Sequence, residues 1–264
     1  MSNAGQAPFL FGNVVGRGFS ILFRNTVAFG TIAVVLMIPY AAVNVLQATG
    51  YLPARTMGTV ILEIIVGFVL PQLLMAAIVF SAFQDMRGQQ VSVGDAIAGG
   101  FQVIMPVVGT GLTTGFAVLL AAGPAFVAAQ IKMGGVQVLM ALGLLAIPIF
   151  LLTLFFVAIP ACVVERQGVA KSIRRSVQLT RGERWRVLAV MSIVWLVGAG
   201  VLLVLGALAF AAQQAGSVLG PPVLLSLAAA FYYALNAAMA TVAYHDLRVA
   251  KEGIGTDVVA GVFD

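Results

Sequence analysis

Long apolar runs alternate with short polar intervals along the chain, and within the runs apolar residues are continuous rather than alternating in period two. Six runs are near or above the ~20 residues that an α-helix needs to cross the hydrocarbon core of a bilayer. They cover residues 26–47, 58–83, 103–129, 136–164, 187–212 and 220–244. Backbone groups in hydrocarbon find no water, so a spanning segment must be a helix or a strand of a closed barrel. Continuous apolarity selects the helix. The pattern predicts an all-α polytopic membrane protein with six transmembrane helices.

The intervals carry patterns of their own. Asn13, Arg17, Ser20 and Arg24 fall on one helix face, with Phe11, Val15, Phe19 and Leu22 on another. Val93, Ile97, Phe101 and Ile104 share a face, and Ser92 with Asp95 resembles a capping box. Val169, Ile173 and Val177 form a stripe, while Lys171, Arg174, Arg175 and Gln178 point elsewhere. Such cationic amphipathic helices either lie in the headgroup layer, apolar side down, or pack on the ends of the spans. Both arrangements stay open at this point.

The intervals also repeat. NVVGRGF at 13–19, DAIAGGF at 95–101 and DVVAGVF at 257–263 share a pattern, with KSIRRSV at 171–177 as a weaker copy. The ends of the even-numbered runs echo one another in FQDMRG, VERQG and YHDLR, through Asp85, Glu165 and Asp246. The chain therefore reads as one membrane domain, 1–264. It holds three helical-hairpin repeats, at about 9–83, 91–164 and 167–244, each opened by a short interfacial helix, and a C-terminal amphipathic segment at 245–264.

Composition excludes a water-soluble fold. Hydrophobic residues make up 61% of the chain, mean hydropathy is +1.08 and charged residues are 9%, against roughly 25% charged in soluble domains. The first residues lack the basic stretch and apolar core of a cleaved signal. A single cysteine, Cys162, excludes an intrachain disulfide. The basic residues are unevenly placed. Of 14 Lys and Arg, 7 lie between Arg166 and Arg186, and 12 fall on one side of a six-span topology. Arg55 and Lys132 alone fall on the other. Lys and Arg are retained on the cytoplasmic side, so both termini are expected there, in a bacterial inner membrane.

Candidate chemistry is sparse. Glu63 is the single ionisable residue well inside a predicted span, and intramembrane carboxylates are costly and often functional. Asn44, Gln72 and Asn236, together with Gln47, are polar groups in apolar surroundings. They either line a path or bond across neighbouring helices. Pro39, Pro71, Pro124 and Pro148 are expected to kink their helices. On the basic side, Arg166, Lys171, Arg174, Arg175, Arg181, Arg184 and Arg186 are candidate contacts for anionic lipid headgroups, at about 1 kcal/mol each. A specific phosphate pocket built from Arg174, Arg175 and Arg181 is the sharper version. His245 beside Asp246 makes no triad. No Cys/His spacing suits zinc, and no Gly-rich loop ends in Gly-Lys-Ser/Thr. No cofactor, nucleic-acid partner or enzymatic activity is expected.

VVERQGVAKSIRRSVQLTRGERWRV, the Phe-rich N-terminal amphipathic segment and YHDLRVAKEG together resemble a bacterial multi-pass family. It is the membrane domain attached to some glycerophosphoryl diester phosphodiesterases, which also occurs as stand-alone proteins. The resemblance extends over nearly the whole chain. It rests on an acid after a span, a Gly, a basic Ser-containing helix, a Thr-Arg-Gly turn and a Trp. It implies a multi-pass helical fold. The phosphodiesterase activity belongs to a separate barrel domain, for which a chain ending at Asp264 is expected to have no room, so no residue here inherits a catalytic role. Two functional readings follow. A membrane scaffold or regulatory component predicts a packed bundle without a substrate-sized cavity. A small transporter or lipid-handling channel predicts a polar cavity lined by Asn44, Glu63, Gln72 and Asn236.

Overall fold

A computed structural model describes residues 9–53, 56–130 and 135–253. All regular structure among these residues is helical. Six helices are long and apolar enough to cross a membrane, namely Thr26–Ala48, Met57–Met86, Ile104–Gln130, Val138–Glu165, Arg184–Gln214 and Gly220–Glu252. In chain order the elements are α1 (Phe11–Arg24), α2 (Thr26–Ala48), α3 (Met57–Ile64), a π-helical turn (Ile65–Val69), α4 (Leu70–Met86), α5 (Val93–Gln102), α6 (Ile104–Gln130), α7 (Gly135–Phe155), α8 (Ala158–Glu165), α9 (Val169–Thr180), α10 (Arg184–Gln214) and α11 (Gly220–Glu252).

Proline divides two of the spans. Pro71 has no N–H to give, and the ladder just before it slips into the π turn that joins α3 to α4. Pro160 was not among the prolines expected to matter. Its ring would clash with the carbonyl of Phe156 in an unbroken helix, and the fourth span parts there into α7 and α8. By contrast Pro39, Pro124 and Pro148 stay inside α2, α6 and α7.

The sixth span corrects one expectation. Residues 245–252 are not a separate amphipathic segment but the last two turns of α11. Nothing between Tyr244 and Glu252 breaks a helix. Gly253 closes it in the left-handed region, at φ 65°, which glycine adopts without strain. The DVVAGVF copy at 257–263, Arg55 and Lys132 lie outside the described residues.

The core sits towards one end. α4 buries Leu73 to Val79 continuously, and α11 buries Ala237 to His245, while α8 buries Ala158 and every residue from Pro160 to Val164. These three segments are the ends of the even-numbered spans. They touch one another and carry α1, α5 and α9 on their flanks. Alanine dominates α11 here, so helices approach closely, and dispersion from dense packing replaces the hydrophobic drive that lipid cannot supply. Towards the other end the packing opens, and Leu139, Phe126 and Leu203 are exposed.

Candidate functional site at the charged end

The three short helices each present a buried face to the bundle, small throughout in α5 and mixed in α1 and α9. In α1 the buried positions are Val14, Gly18, Ile21 and Leu22, with Gly18 against Met239. In α5 they are Ala96, Gly99 and Gly100. A Cβ at Gly100 would sit 3.2 Å from the Ala77 backbone nitrogen. In α9 they are Ser172, Ser176, Leu179 and Thr180. The apolar stripes read from the sequence lie partly to the side: Val169, Ile173 and Val177 are half-buried, as are Val93 and Ile97, Phe101 and Phe11 are exposed, and Leu22 is buried. In α5 the small inner face lets the helix lie close on α4, whereas α1 and α9 add Ile21, Leu22 and Leu179 to the core.

The division of the fourth span fixes α9. The last carbonyls of a helix have no partner within it. Leu154 is one of these in α7, and the Ser176 hydroxyl donates to its oxygen at 2.6 Å. On the same helix, the hydroxyls of Ser172 and Thr180 donate back to Gly168 and Ser176, so the serines bury no unmet donor.

The acids that close the even-numbered spans each meet an arginine from a short helix. Arg24 pairs with Asp85. Arg17 reaches Asp246 at 2.5 Å, and the His245 ring adds a contact to the same carboxylate at 2.9 Å. Arg175 donates to Glu165 at 2.7 Å and to Glu252 at 2.5 Å. Burial works against the Arg175 charge, but the two carboxylates outweigh it and raise its pKa above the ordinary arginine value. Glu165 also accepts from the Tyr244 hydroxyl at 2.7 Å, and Arg248 bonds both Glu252 and Tyr244. Lys251 donates to the carbonyls of Gln178 and Arg181 at 2.8 and 2.5 Å, capping the C-terminal end of α9. Sequence reading missed Arg17, Arg24, Tyr244 and Glu252 as partners in these clusters. The recurring acid at each even-numbered span end was the signal that could have found them.

The seven basic candidates thus divide. Arg175 is bound to carboxylates inside the assembly, and Arg186 pairs with Glu183 at 2.7 Å. Arg166 closes α8 in the left-handed region at φ 47°. Lys171, Arg174 and Arg181 are exposed, and with Arg184 they form no ion pair among the described residues. Arg184 instead lies over the Phe150 ring, 5.0 Å from its centroid. A pocket built from Arg174, Arg175 and Arg181 together is not supported, because Arg175 is turned inward.

The intramembrane candidates divide as well. Asn44, Gln47 and Glu63 line one open-sided cleft of about 550 Å³ towards the opposite end, with Tyr40, Gly67 and Leu112. The Gln47 amide donates to the Glu63 carboxylate. Gln72 lies elsewhere, buried against Gly111, and its Oε1 has no partner among the described residues. Asn236 is half-buried in α11 and lines no part of this cleft. No group of three or more metal-ligating side chains occurs among the described residues.

Six apolar helices with the short helices gathered at their charged end define a multi-pass, all-helical integral membrane protein. More specifically, the family described as "Membrane domain of glycerophosphoryl diester phosphodiesterase" matches residues 75–244, and the chain belongs to it. That description names the membrane domain and not the catalytic part. The matched stretch holds most of the three buried span ends, with α5 and α9; α1 and Glu63 precede it. No curated protein and no solved structure matches the chain.

Proposed function

We propose that this protein is a non-catalytic scaffold or regulatory component of a bacterial inner membrane, with its charged end resting on anionic headgroups of the cytoplasmic leaflet. One observation carries the reading. Among the described residues, the acids that close the even-numbered spans, Asp85, Glu165 and Asp246, are each held by an arginine, whereas Lys171, Arg174 and Arg181 are exposed at the same end as the exposed Trp185. Free cations with an interfacial aromatic are what a protein presents to a negatively charged leaflet.

Reconstitution of the purified chain tests this. In vesicles of phosphatidylcholine with rising fractions of phosphatidylglycerol, thermal stability should rise with the anionic fraction. The gain should shrink in high salt, because exposed charges are screened. No headgroup release and no lipid movement between leaflets should accompany it. Stability blind to lipid charge, or measurable turnover, would overturn the proposal. Orientation has its own test. A Lys171→Cys variant in a Cys162→Ala background should be labelled only from the cytoplasmic side.

The cleft around Asn44, Gln47 and Glu63 favours a second reading, a small transporter or lipid-handling channel. It predicts flux or scrambling in proteoliposomes that falls on Glu63→Gln. Absence of any flux from the unmodified chain would remove it.

A further inference from the structure

Between α7 and α10, just inside the charged end, lies a cleft of about 520 Å³. Its walls are apolar, from Ile149 and Phe150 on one side and Leu188 on the other, with Thr153 at its base. Arg184 and Trp185 complete it. Ile149 and Phe150 are exposed, so the cleft is continuous with the apolar outer surface of the bundle. Lipid chains have direct access from the side.

Arg184 is the unusual member. Its guanidinium lies over the Phe150 ring, yet its Nε is buried without a hydrogen-bond partner among the described residues. The nearest candidate to neutralise it, Glu183, is bound by Arg186. Arg181 and Lys251 lie close enough to interact with one another, and Arg184 adds its charge to the same group. Lys251 is held by carbonyls and not by a carboxylate. A planar, always-charged donor left unpaired at the mouth of an apolar groove is complementary to a phosphate joined to a hydrocarbon chain.

We propose that this cleft is a binding site for one anionic phospholipid, with Arg184 on its phosphate and an acyl chain along Ile149, Phe150 and Leu188. The site rests on the reading that the charged end meets an anionic leaflet, but it demands more. One arginine and one groove, not the summed charge of the surface, set the preference. Trp185 stands at the rim as an interfacial anchor.

The chain's two tryptophans are Trp185 and Trp195, so a Trp195→Phe background isolates Trp185 as a reporter. The purified full-length chain is placed in phosphatidylcholine vesicles containing either dibrominated phosphatidylglycerol or dibrominated phosphatidylcholine, and quenching of Trp185 is followed against mole fraction. The proposal expects half-maximal quenching at a severalfold lower fraction of the anionic lipid. Arg184→Gln should reduce that preference about fivefold, the contribution of one basic residue at an anionic surface, and Arg184→Lys should restore part of it. Ile149→Trp is unsuitable beside the reporter, so Ile149→Phe fills the groove instead. It should weaken quenching by both lipids while leaving the charge intact. The Lys171→Gln, Arg174→Gln double variant removes more charge but none from the cleft, and should leave the preference within about twofold.

If the double variant loses as much preference as Arg184→Gln, general surface charge explains the effect, and the cleft is overturned while the scaffold reading stands. If the unmodified chain shows no preference for the anionic lipid, both fail. Circular dichroism and elution position check that Arg184→Gln folds. If it does not, the Arg184→Lys and Ile149→Phe pair decides, and an unchanged preference and unchanged quenching in both overturns the site.

Discussion

The central windows of spans two and six are 56% and 50% buried within the chain, whereas those of spans three and four are 11% and 22% buried. The division does not follow hydropathy. The fourth span is the most apolar of the six, and it is among the most open. In water that would be a contradiction. In a bilayer, large side chains such as Leu139, Leu203 and Phe126 lose little by facing lipid, and close helix packing goes to small residues. Even-numbered spans bury their charged-end segments because these are rich in alanine, as in Ala76–Ala77 and Ala237–Ala238, and because short helices cover them. The opposite half has alanines too, but among the described residues no short helix covers it. The charged half is a packed and hydrogen-bonded body, and the other half is a set of hairpins that lipid completes.

The largest expected effect lies in the Glu165 assembly. Glu165→Ala removes a partner from both Arg175 and Tyr244, which are partly or wholly buried, and should cost about 3 kcal/mol. Denaturation in detergent micelles would measure it. A loss below about 1 kcal/mol would show that the network only decorates the charged half.

A pair of glycine substitutions sharpens the contrast between the halves. Gly100→Leu drives a side chain against the Ala77 backbone, which cannot yield as a flexible side chain can. It should cost about 2 kcal/mol through overpacking. Gly143→Leu, in α7, meets nothing within 4 Å. It should be neutral or stabilise by up to about 1 kcal/mol through helix propensity. Equal thermal shifts for the two would break the comparison.

Glu63→Gln probes the far half. Its carboxylate is exposed at the side of an open cleft and bonded to Gln47. The amide keeps a hydrogen-bonding group there, so stability should change by less than about 0.5 kcal/mol. The smallest effect is expected for Arg186→Gln. It breaks an exposed pair with Glu183 one helical turn away, and should cost about 0.3 kcal/mol. The same melting experiments, repeated in high salt, would show that difference vanish.

The spans were legible because their cause is local. The first span, Thr26–Ala48, differs by one residue from the predicted 26–47. Hydrocarbon forces every backbone group into a helix whatever the neighbours are. The end of the sixth was not legible, since charged residues at 245–252 look like the start of something new, while the helix continues until glycine stops it. The sequence left open whether the short helices lie in the headgroup layer or pack on the span ends, because that choice depends on which helix ends meet them.

Membrane class, span number and family were thus determined by the sequence alone, through hydropathy, composition and motif spacing, all of which act within one segment at a time. Only the tertiary structure decided which cations are free. Arg174 and Arg175 are neighbours in the chain, but a rotation of 100° around α9 turns one outward and the other onto Glu165 and Glu252. It also decided that Asn44 and Glu63 share a cleft and that Gln72 and Asn236 do not. Those outcomes depend on which helix ends meet, and that is set by the packing of residues far apart in the chain.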